Sequence, residues 1–395
     1  MPECFINLRM ISNPLMLYVH IPYCVHKCHY CDFNSHVRGE PDWEGYQQVL
    51  LAELKQWSKQ PQFAGRKLGS IFFGGGTPSL APAELIASVI EAASKLFEFD
   101  ADIEISLEAN PGTVDHSRFA GFRKVGVNRL SIGVQSLDDV ELKWLERIHS
   151  GEQAVTALKV GRAAGFENIN LDLIYGLPDQ FIEQWMNSLN RVIELGPEHL
   201  SCYQLTVEPH TKLAANFETV ADQLPDDELA LDFLYQTRER LAEAGYKAYE
   251  ISNFARPGMK CRHNDGYWLY RDYIGIGAGA SGKFDLDDGG VTRYSNIRNP
   301  EKYIESALKV GRAINSDEKL PKATAEAESL WQGLRRTGGI SNAWFTERFG
   351  TDIQSRFGGE LEPWLAGQKL IWDGDHLHLT NKGLPFVDSI AEELF

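Results

Sequence analysis

Two kinds of segment alternate along the chain from residue 17 onward. Short apolar-rich runs at 17–21, 70–73, 102–107, 129–134, 169–174 and 199–207 have the length and composition of buried strands. Between them, at 42–59, 83–96, 115–124, 152–164 and 180–194, apolar residues recur with helical spacing. The strand starts lie 53, 32, 27, 40 and 30 residues apart, close to the roughly 30 or more that a strand plus its return helix needs. Strands alternating with helices predict a parallel sheet. The expected fold is therefore α/β, a partial (β/α)6 barrel, with a doubly wound open sheet as the alternative.

The residues at the end of each strand favour the barrel. The first strand runs into YCVHKCHYC, the second into GGGTPS and the third into EANPG. The next three lead to GVQS, YGLP and TVEP. In a parallel barrel these ends form one mouth, where active sites sit. A helix is expected at 226–244, then the extended KAYEISNFARPG, then CRHNDGYW and the glycine-rich IGIGAGASG. From residue 317 the pattern changes: helical pieces at 325–337, 343–349 and 359–367 precede a hairpin-like LIWDGDHLHLT and a closing helix. That pattern suggests a small winged-helix-like α+β domain over 317–395. The barrel and its extension then span 17–316, and residues 1–16 form an aperiodic leader in which Met10 and Met16 are alternative starts.

Composition narrows the function. With 43% hydrophobic and 24% charged residues over 395, the chain is neither disordered nor fibrous. It has no apolar run of membrane-spanning length and no basic start followed by an apolar stretch. No integral membrane segment is expected, and the location expected is cytoplasmic. A net charge of −16 without a run of basic residues argues against nucleic acid as a partner. The winged-helix-like segment is itself acidic, so it reads as a lid or partner surface.

Of six cysteines, Cys24, Cys28 and Cys31 crowd one loop, while Cys4, Cys202 and Cys261 stand apart. In a long chain without secretory features this indicates metal or redox chemistry, not a disulfide framework. Three thiolates spaced C-x₃-C-x₂-C can hold three irons of a [4Fe–4S] cluster. A structural zinc site with His26 or His29 as fourth ligand is the alternative. Cys202, inside a strand, reads as buried packing.

Together with GGGTPS, EANPGT, RLSIGVQS, NLDLIYGLP and HLSCYQLTVEP in that order, YVHIPYCVHKCHYCDF resembles the radical-SAM proteins, and within them the HemN/HemW group. The resemblance covers nearly the whole chain from residue 17. It implies a radical-SAM barrel in which Cys24, Cys28 and Cys31 hold a [4Fe–4S] cluster whose fourth iron is open to S-adenosylmethionine (SAM). Tyr18 and Tyr30 are then expected to line SAM, and Gly75, Gly76 and Thr77 to form its glycine-rich loop. Glu108 and Asp172 are expected as acidic contacts, Gln135 as a polar one, and Arg147 as the partner of the methionyl carboxylate. Thr206 is expected near the adenine. An electron donor is implied as a partner, and IGIGAGASG either approaches the adenosyl group or closes the barrel edge.

Two features divide the group. Its coproporphyrinogen dehydrogenases carry a further cysteine two positions after the third, where this chain has Phe33, and a longer N-terminal extension. His263-Asn264-Asp265-Gly266-Tyr267-Trp268 resembles the HNxxYW motif of the haem-chaperone branch. That resemblance implies haem as a ligand, with His263, Asn264, Tyr267 and Trp268 as contacts and Cys261 as a second axial candidate. On its residues alone, His263 reads first as a buried, hydrogen-bonded histidine, with Tyr267 and Trp268 as core. The expected function is haem binding and transfer to an acceptor protein. Oxygen-independent decarboxylation of coproporphyrinogen III to protoporphyrinogen IX is the alternative. His20, His26, His29 and His36 lie near the cysteines and are expected to be structural or solvated.

Overall fold

The computed structural model describes residues 14–395. Six strands stand side by side in chain order, each parallel to the next. They are β1 (Leu15–Ile21), β2 (Lys67–Gly75), β3 (Glu98–Ala109), β4 (Arg129–Gln135), β5 (Ile169–Tyr175) and β6 (His199–Gln204). Helices α1 (Trp43–Ser58), α2 (Ala83–Leu96), α3 (His116–Lys124), α4 (Asp139–Trp144), α5 (Gly151–Ala163) and α6 (Ile182–Leu195) make the connections. Most lie within two residues of their expected bounds; the short α4 was not expected. Its six residues hold too little of a helical period to stand out from a loop.

β1 begins at Leu15, so Met16, expected in the leader, is a strand residue paired with Ser70 and Tyr273. The rest of that leader, up to residue 13, lies outside the described residues. β1 also shows how the barrel is built. Leu15, Leu17, Val19 and Ile21 join the same apolar core as Val49, Leu50 and Leu54 of α1. The alternate positions carry Tyr18 and His20, which border an interior cavity. The same two-residue period sets Ser70 and Phe72 of β2, Glu104 and Glu108 of β3, and Arg129 and Ser131 of β4 on the inner face. Asn170, Asp172, His199 and Ser201 continue it across β5 and β6. These side chains satisfy one another: Asn170 Nδ2 donates to Ser131 Oγ at 2.7 Å, its Oδ1 lies 2.7 Å from His199 Nδ1, and Ser201 Oγ donates to it at 3.1 Å. The barrel is apolar outside its sheet and polar within.

The sheet continues to twelve strands. Beside β6 come β8 (Asn253–Ala255) and β7 (Lys247–Ala248), both antiparallel. Beside β1 comes β9 (Tyr273–Ile276), parallel, followed by antiparallel β10 (Ser281–Asp285), β11 (Val291–Asn296) and β12 (Ile314–Leu320). The two outer strands do not pair with each other, so the barrel is open. IGIGAGASG forms β9 and its turn, closing the edge beside β1.

Helix α7 (Asp227–Glu243) follows β6, and α8 (Arg262–Trp268) carries the CRHNDGYW segment. α8 packs on β2, and Glu104 of β3 accepts hydrogen bonds from the backbone N–H groups of Arg262 (3.0 Å) and His263 (3.2 Å). The C-terminal unit comprises α9 (Lys322–Arg335), α10 (Asn342–Phe349), α11 (Ile353–Ala366), α12 (Val387–Leu394) and a three-stranded sheet. That sheet pairs β14 (Leu370–Asp373) and β13 (Ile340–Ser341) on either side of β15 (His376–Leu379). The expected break at residue 317 falls inside β12, which stays paired with β11 to Leu320. Two contacts join the unit to α8: Arg336 Nε donates to Asp265 Oδ1 at 2.8 Å, and Arg335 stacks over Trp268 at 5.0 Å. Among the described residues, no helix is long and apolar enough to cross a membrane.

Gly275 is the tightest point of the sheet extension. A Cβ there would stand 1.9 Å from the Ser281 carbonyl oxygen, which is backbone and cannot step aside. Gly275→Ala is expected to destabilise the fold by roughly 1–3 kcal/mol, the usual cost of overpacking. Thermal or denaturant unfolding of the variant against wild type checks this.

Candidate functional site

The end of β1 fixes the cysteine loop. Tyr23–Cys24 pairs in parallel with His36–Val37, which pinches off the intervening segment. Thr77 Oγ1 donates to Cys24 Sγ at 3.3 Å, and Arg147 Nη1 to Cys28 Sγ at 3.7 Å. Burial pushes the Cys24 and Cys31 thiols up from the ordinary value. All three cysteines border one cavity of about 400 Å³ at the barrel mouth. Tyr30, Gly75, Gly76 and Thr77 border it too, as do Glu108, Gln135, Arg147, Asp172 and Thr206. Tyr18 lies in an adjoining chamber that shares Gly75 and Glu108 with the first. The structure thus gathers every residue expected at the cluster and at SAM.

The glycine-rich turn answers first to the chain itself. Gly75 has φ +114°, and a Cβ there would meet the His20 ring at 2.5 Å. A Cβ on Gly76 would stand 2.8 Å from the Tyr23 carbonyl oxygen, and its N–H donates to the Ile21 carbonyl at 2.8 Å. Glycine is needed here so that the ends of β1 and β2 can touch. Gln135 takes the left-handed conformation, φ +66°, at an irregularity in the β4–β5 pairing. Such strain in a non-glycine residue clusters at functional sites.

Of the four acids bordering the cavity, Glu108 and Asp172 come from the barrel strands. Burial, then the neighbouring Asp172 carboxylate, pushes Glu108 up to about 8, against a hydrogen bond from the Gly75 N–H at 3.0 Å. Burial also raises Asp172, which accepts from Asn170 Nδ2 at 2.7 Å and Ser131 Oγ at 3.1 Å. Arg147, expected to pair with a carboxylate, is anchored at 2.8 Å to the Gly133 carbonyl as well as to Cys28. Sequence reasoning missed Ser131, Asn170 and Arg129, which form the inner face beneath these acids. The signal was present as polar residues alternating with apolar ones inside β4 and β5.

The CRHNDGYW segment sits lower in the barrel. His263 is 2% exposed, with Nδ1 at 2.8 Å from Ser70 Oγ and Nε2 at 3.0 Å from Tyr267 OH. Its ring stacks on Phe72 with centroids 5.2 Å apart, and burial pushes it down to about 3. Asn264 Nδ2 donates to Tyr249 OH at 3.1 Å, and Trp268 lies beneath Arg335. Tyr267 alone of the four expected haem contacts borders either mouth chamber. Cys261 is buried, with its thiol 3.4 Å from Glu104 Oε1 and pushed up to about 12, chiefly by burial.

Comparison with known proteins adds to this geometry. Residues 18–192 match the radical SAM superfamily and residues 320–386 the HemN C-terminal domain. The protein named heme chaperone HemW of Escherichia coli is 39% identical over 380 residues, covering 96% of this chain and 97% of that one. Heme chaperone HemW of Haemophilus influenzae is 38% identical over 384 residues, with 96% and 97% covered. This chain belongs to the HemW family. The mouse mitochondrial radical S-adenosyl methionine domain-containing protein 1 is a further relative, 37% identical over 385 residues, with 96% of this chain and 87% of that protein covered. Among solved structures, the coproporphyrinogen III oxidase HemN of E. coli superposes with a TM-score of 0.82 at 26% identity. The match covers 98% of this chain and 92% of HemN.

Radical SAM membership implies a [4Fe–4S] cluster and SAM, and the residues of this HemW-family chain fit both. Among the described residues, no group of three His, Cys, Asp or Glu is placed to hold one metal ion. The thiols border a cavity instead of closing on a point, as a wider cluster requires and a single tetrahedral zinc does not. Glu108 and Asp172, half-buried and close enough to act on each other, suit a ligand that brings positive charge, as the sulfonium and ammonium groups of SAM do.

Replacing Cys24, Cys28 or Cys31 with Ala is expected to abolish stoichiometric iron after anaerobic reconstitution, read by iron and sulfide analysis. SAM affinity is expected to rise with pH through about 8, because a cationic ligand favours the ionised Glu108. Glu108→Gln should flatten that profile and weaken binding about tenfold, the loss of a hydrogen bond to a charged group. Equilibrium dialysis of labelled SAM across pH checks both.

Proposed function

We propose that this protein is a haem chaperone: it holds a [4Fe–4S] cluster and SAM at the barrel mouth, binds haem, and passes it to an acceptor protein. The observation that carries the reading is similarity over nearly the whole chain to proteins named heme chaperone HemW. Phe33 supports it, standing where the coproporphyrinogen dehydrogenases have a further cysteine. The expected cytoplasmic location and the need for an electron donor belong to the same proposal.

Each part of the site then has a task. Cys24, Cys28 and Cys31 hold the cluster, which when bound supplies the electron for reductive cleavage of SAM. Thr77 and Arg147 direct hydrogen-bond donors at the Cys24 and Cys28 sulfurs. The Gly75 N–H steers the Glu108 carboxylate into the cavity, while Ser131 and Asn170 fix Asp172. The two acids balance the ligand's positive charge, and Tyr30 and Thr206 wall the cavity. His263, Asn264, Tyr267 and Trp268 are proposed as the haem region.

The likeness in fold to HemN keeps coproporphyrinogen III decarboxylation as the second reading. The two separate in one experiment on the anaerobically reconstituted protein. The chaperone reading expects a saturable, one-to-one change in the Soret band on haem titration, and no protoporphyrinogen IX from coproporphyrinogen III with SAM and reductant. Product formed in step with 5′-deoxyadenosine would replace the first reading with the second.

A further inference from the structure

The chamber beside the cysteine-lined cavity shares Asp32, Phe33, Gly75 and Glu108 with it. It encloses about 340 Å³. Four aromatic side chains border it: Tyr18, Phe33, Tyr267 and Tyr273. They come from β1, the cysteine loop, α8 and β9. Tyr267 and Tyr273 meet edge to face at 4.8 Å. Phe33 lies on the threshold between the two cavities and is 57% exposed. Its backbone is nonetheless held, since the Phe33 carbonyl accepts from Ser35 N–H at 2.7 Å and from Lys27 Nζ at 3.0 Å. An exposed phenyl on a fixed backbone is a ready surface for a flat ring.

The chamber's charge is equally specific. Among the described residues, Arg298 is the one Lys or Arg that borders it. The Arg298 backbone is pinned, because its carbonyl accepts from Asn34 Nδ2 at 2.9 Å and lies 3.2 Å from His36 Nε2. Its guanidinium makes no ion pair among the described residues. It reaches the chamber closely enough to act on His20: burial pushes that ring down to about 4, and the Arg298 charge contributes. The acids bordering the chamber are Asp32 and Glu108. A guanidinium with no ion-pair partner among the described residues, set beside aromatic walls, selects a flat ligand with a carboxylate at its edge.

His263 does not meet the needs of an iron ligand here. Both of its ring nitrogens are engaged, and Glu104 holds the start of its helix from below. Its bond to Tyr267 OH instead fixes a side chain that does reach the chamber.

We propose that this chamber takes up the carboxylate-bearing edge of the porphyrin, with a propionate on Arg298 and the ring face on Phe33, and that His263 positions Tyr267 in the chamber wall and does not ligate the iron. The proposal rests on the haem-chaperone reading and adds to it where the macrocycle sits.

The test uses the full-length, anaerobically reconstituted protein with three probes: haem, metal-free protoporphyrin IX, and protoporphyrin IX dimethyl ester. Arg298→Ala is expected to weaken protoporphyrin IX binding about tenfold, read by fluorescence, through loss of a charge-assisted pair. The ester lacks the carboxylates and should bind this variant and the wild type alike. Phe33→Ala should weaken all three probes. His263→Gln should weaken haem binding while leaving the Soret maximum at its wild-type wavelength, because the iron ligand is unchanged. Haem affinity unaltered in both Arg298→Ala and Phe33→Ala would overturn the site while leaving the chaperone reading intact. A displaced Soret maximum in His263→Gln would make the imidazole a ligand and overturn its positioning role. If the wild type takes up no haem, the chaperone reading fails, and this proposal fails with it.

Discussion

One buried carboxylate holds the floor of the barrel. Glu104 accepts the first backbone N–H groups of α8, where a helix leaves its donors unpaired and its dipole favours negative charge. A seven-residue helix has little stability of its own and stays where its partners hold it. From that anchorage His263 reaches Ser70 and Tyr267, Asn264 reaches Tyr249, and Asp265 and Trp268 reach the C-terminal unit. The sheet is open, and this short segment lies against its inner face and ties the barrel to the C-terminal unit.

The polar interior follows from the same geometry. A barrel strand with helices outside must bury its outer face against them, which consumes the apolar half of each strand. The inner half is free to carry Glu104, Glu108, Arg129, Asn170, Asp172 and His199, provided they satisfy one another. They do so lower down, where Asn170 bridges Ser131, Asp172, His199 and Ser201. Nearer the mouth the balance shifts. Glu108 has one backbone donor and a like-charged neighbour, and its carboxyl is displaced accordingly. The mouth is therefore the place where a cationic ligand gains most.

The HNxxYW segment shows what a motif does and does not say. Its residues name a type of site, and their type suits haem: imidazole for iron, aromatic rings for a macrocycle. Their burial assigns them different partners. His263 is enclosed between Ser70 and Tyr267, Trp268 faces the C-terminal unit, and Tyr267 opens on a chamber. That chamber's other walls come from residues scattered over the sequence, from Tyr18 to Arg298.

The sequence by itself determined the order and type of the barrel elements, because hydrophobic periodicity is local and each strand ends in its own turn chemistry. It determined the cysteine loop and the strand-end residues for the same reason: in a parallel sheet, residues that end successive strands must share one mouth. It could not decide what each inner polar residue meets, since those contacts join different strands and helices, 29 residues apart between Asn170 and His199 and 159 apart between Glu104 and His263. Nor could it show that the chain across residue 317 is a sheet strand, because a highly polar strand such as β12 is recognised only by its pairing with β11. The tertiary structure decided burial, and burial sets which histidine is closed, which carboxyl is displaced and which aromatic ring is left to receive a ligand.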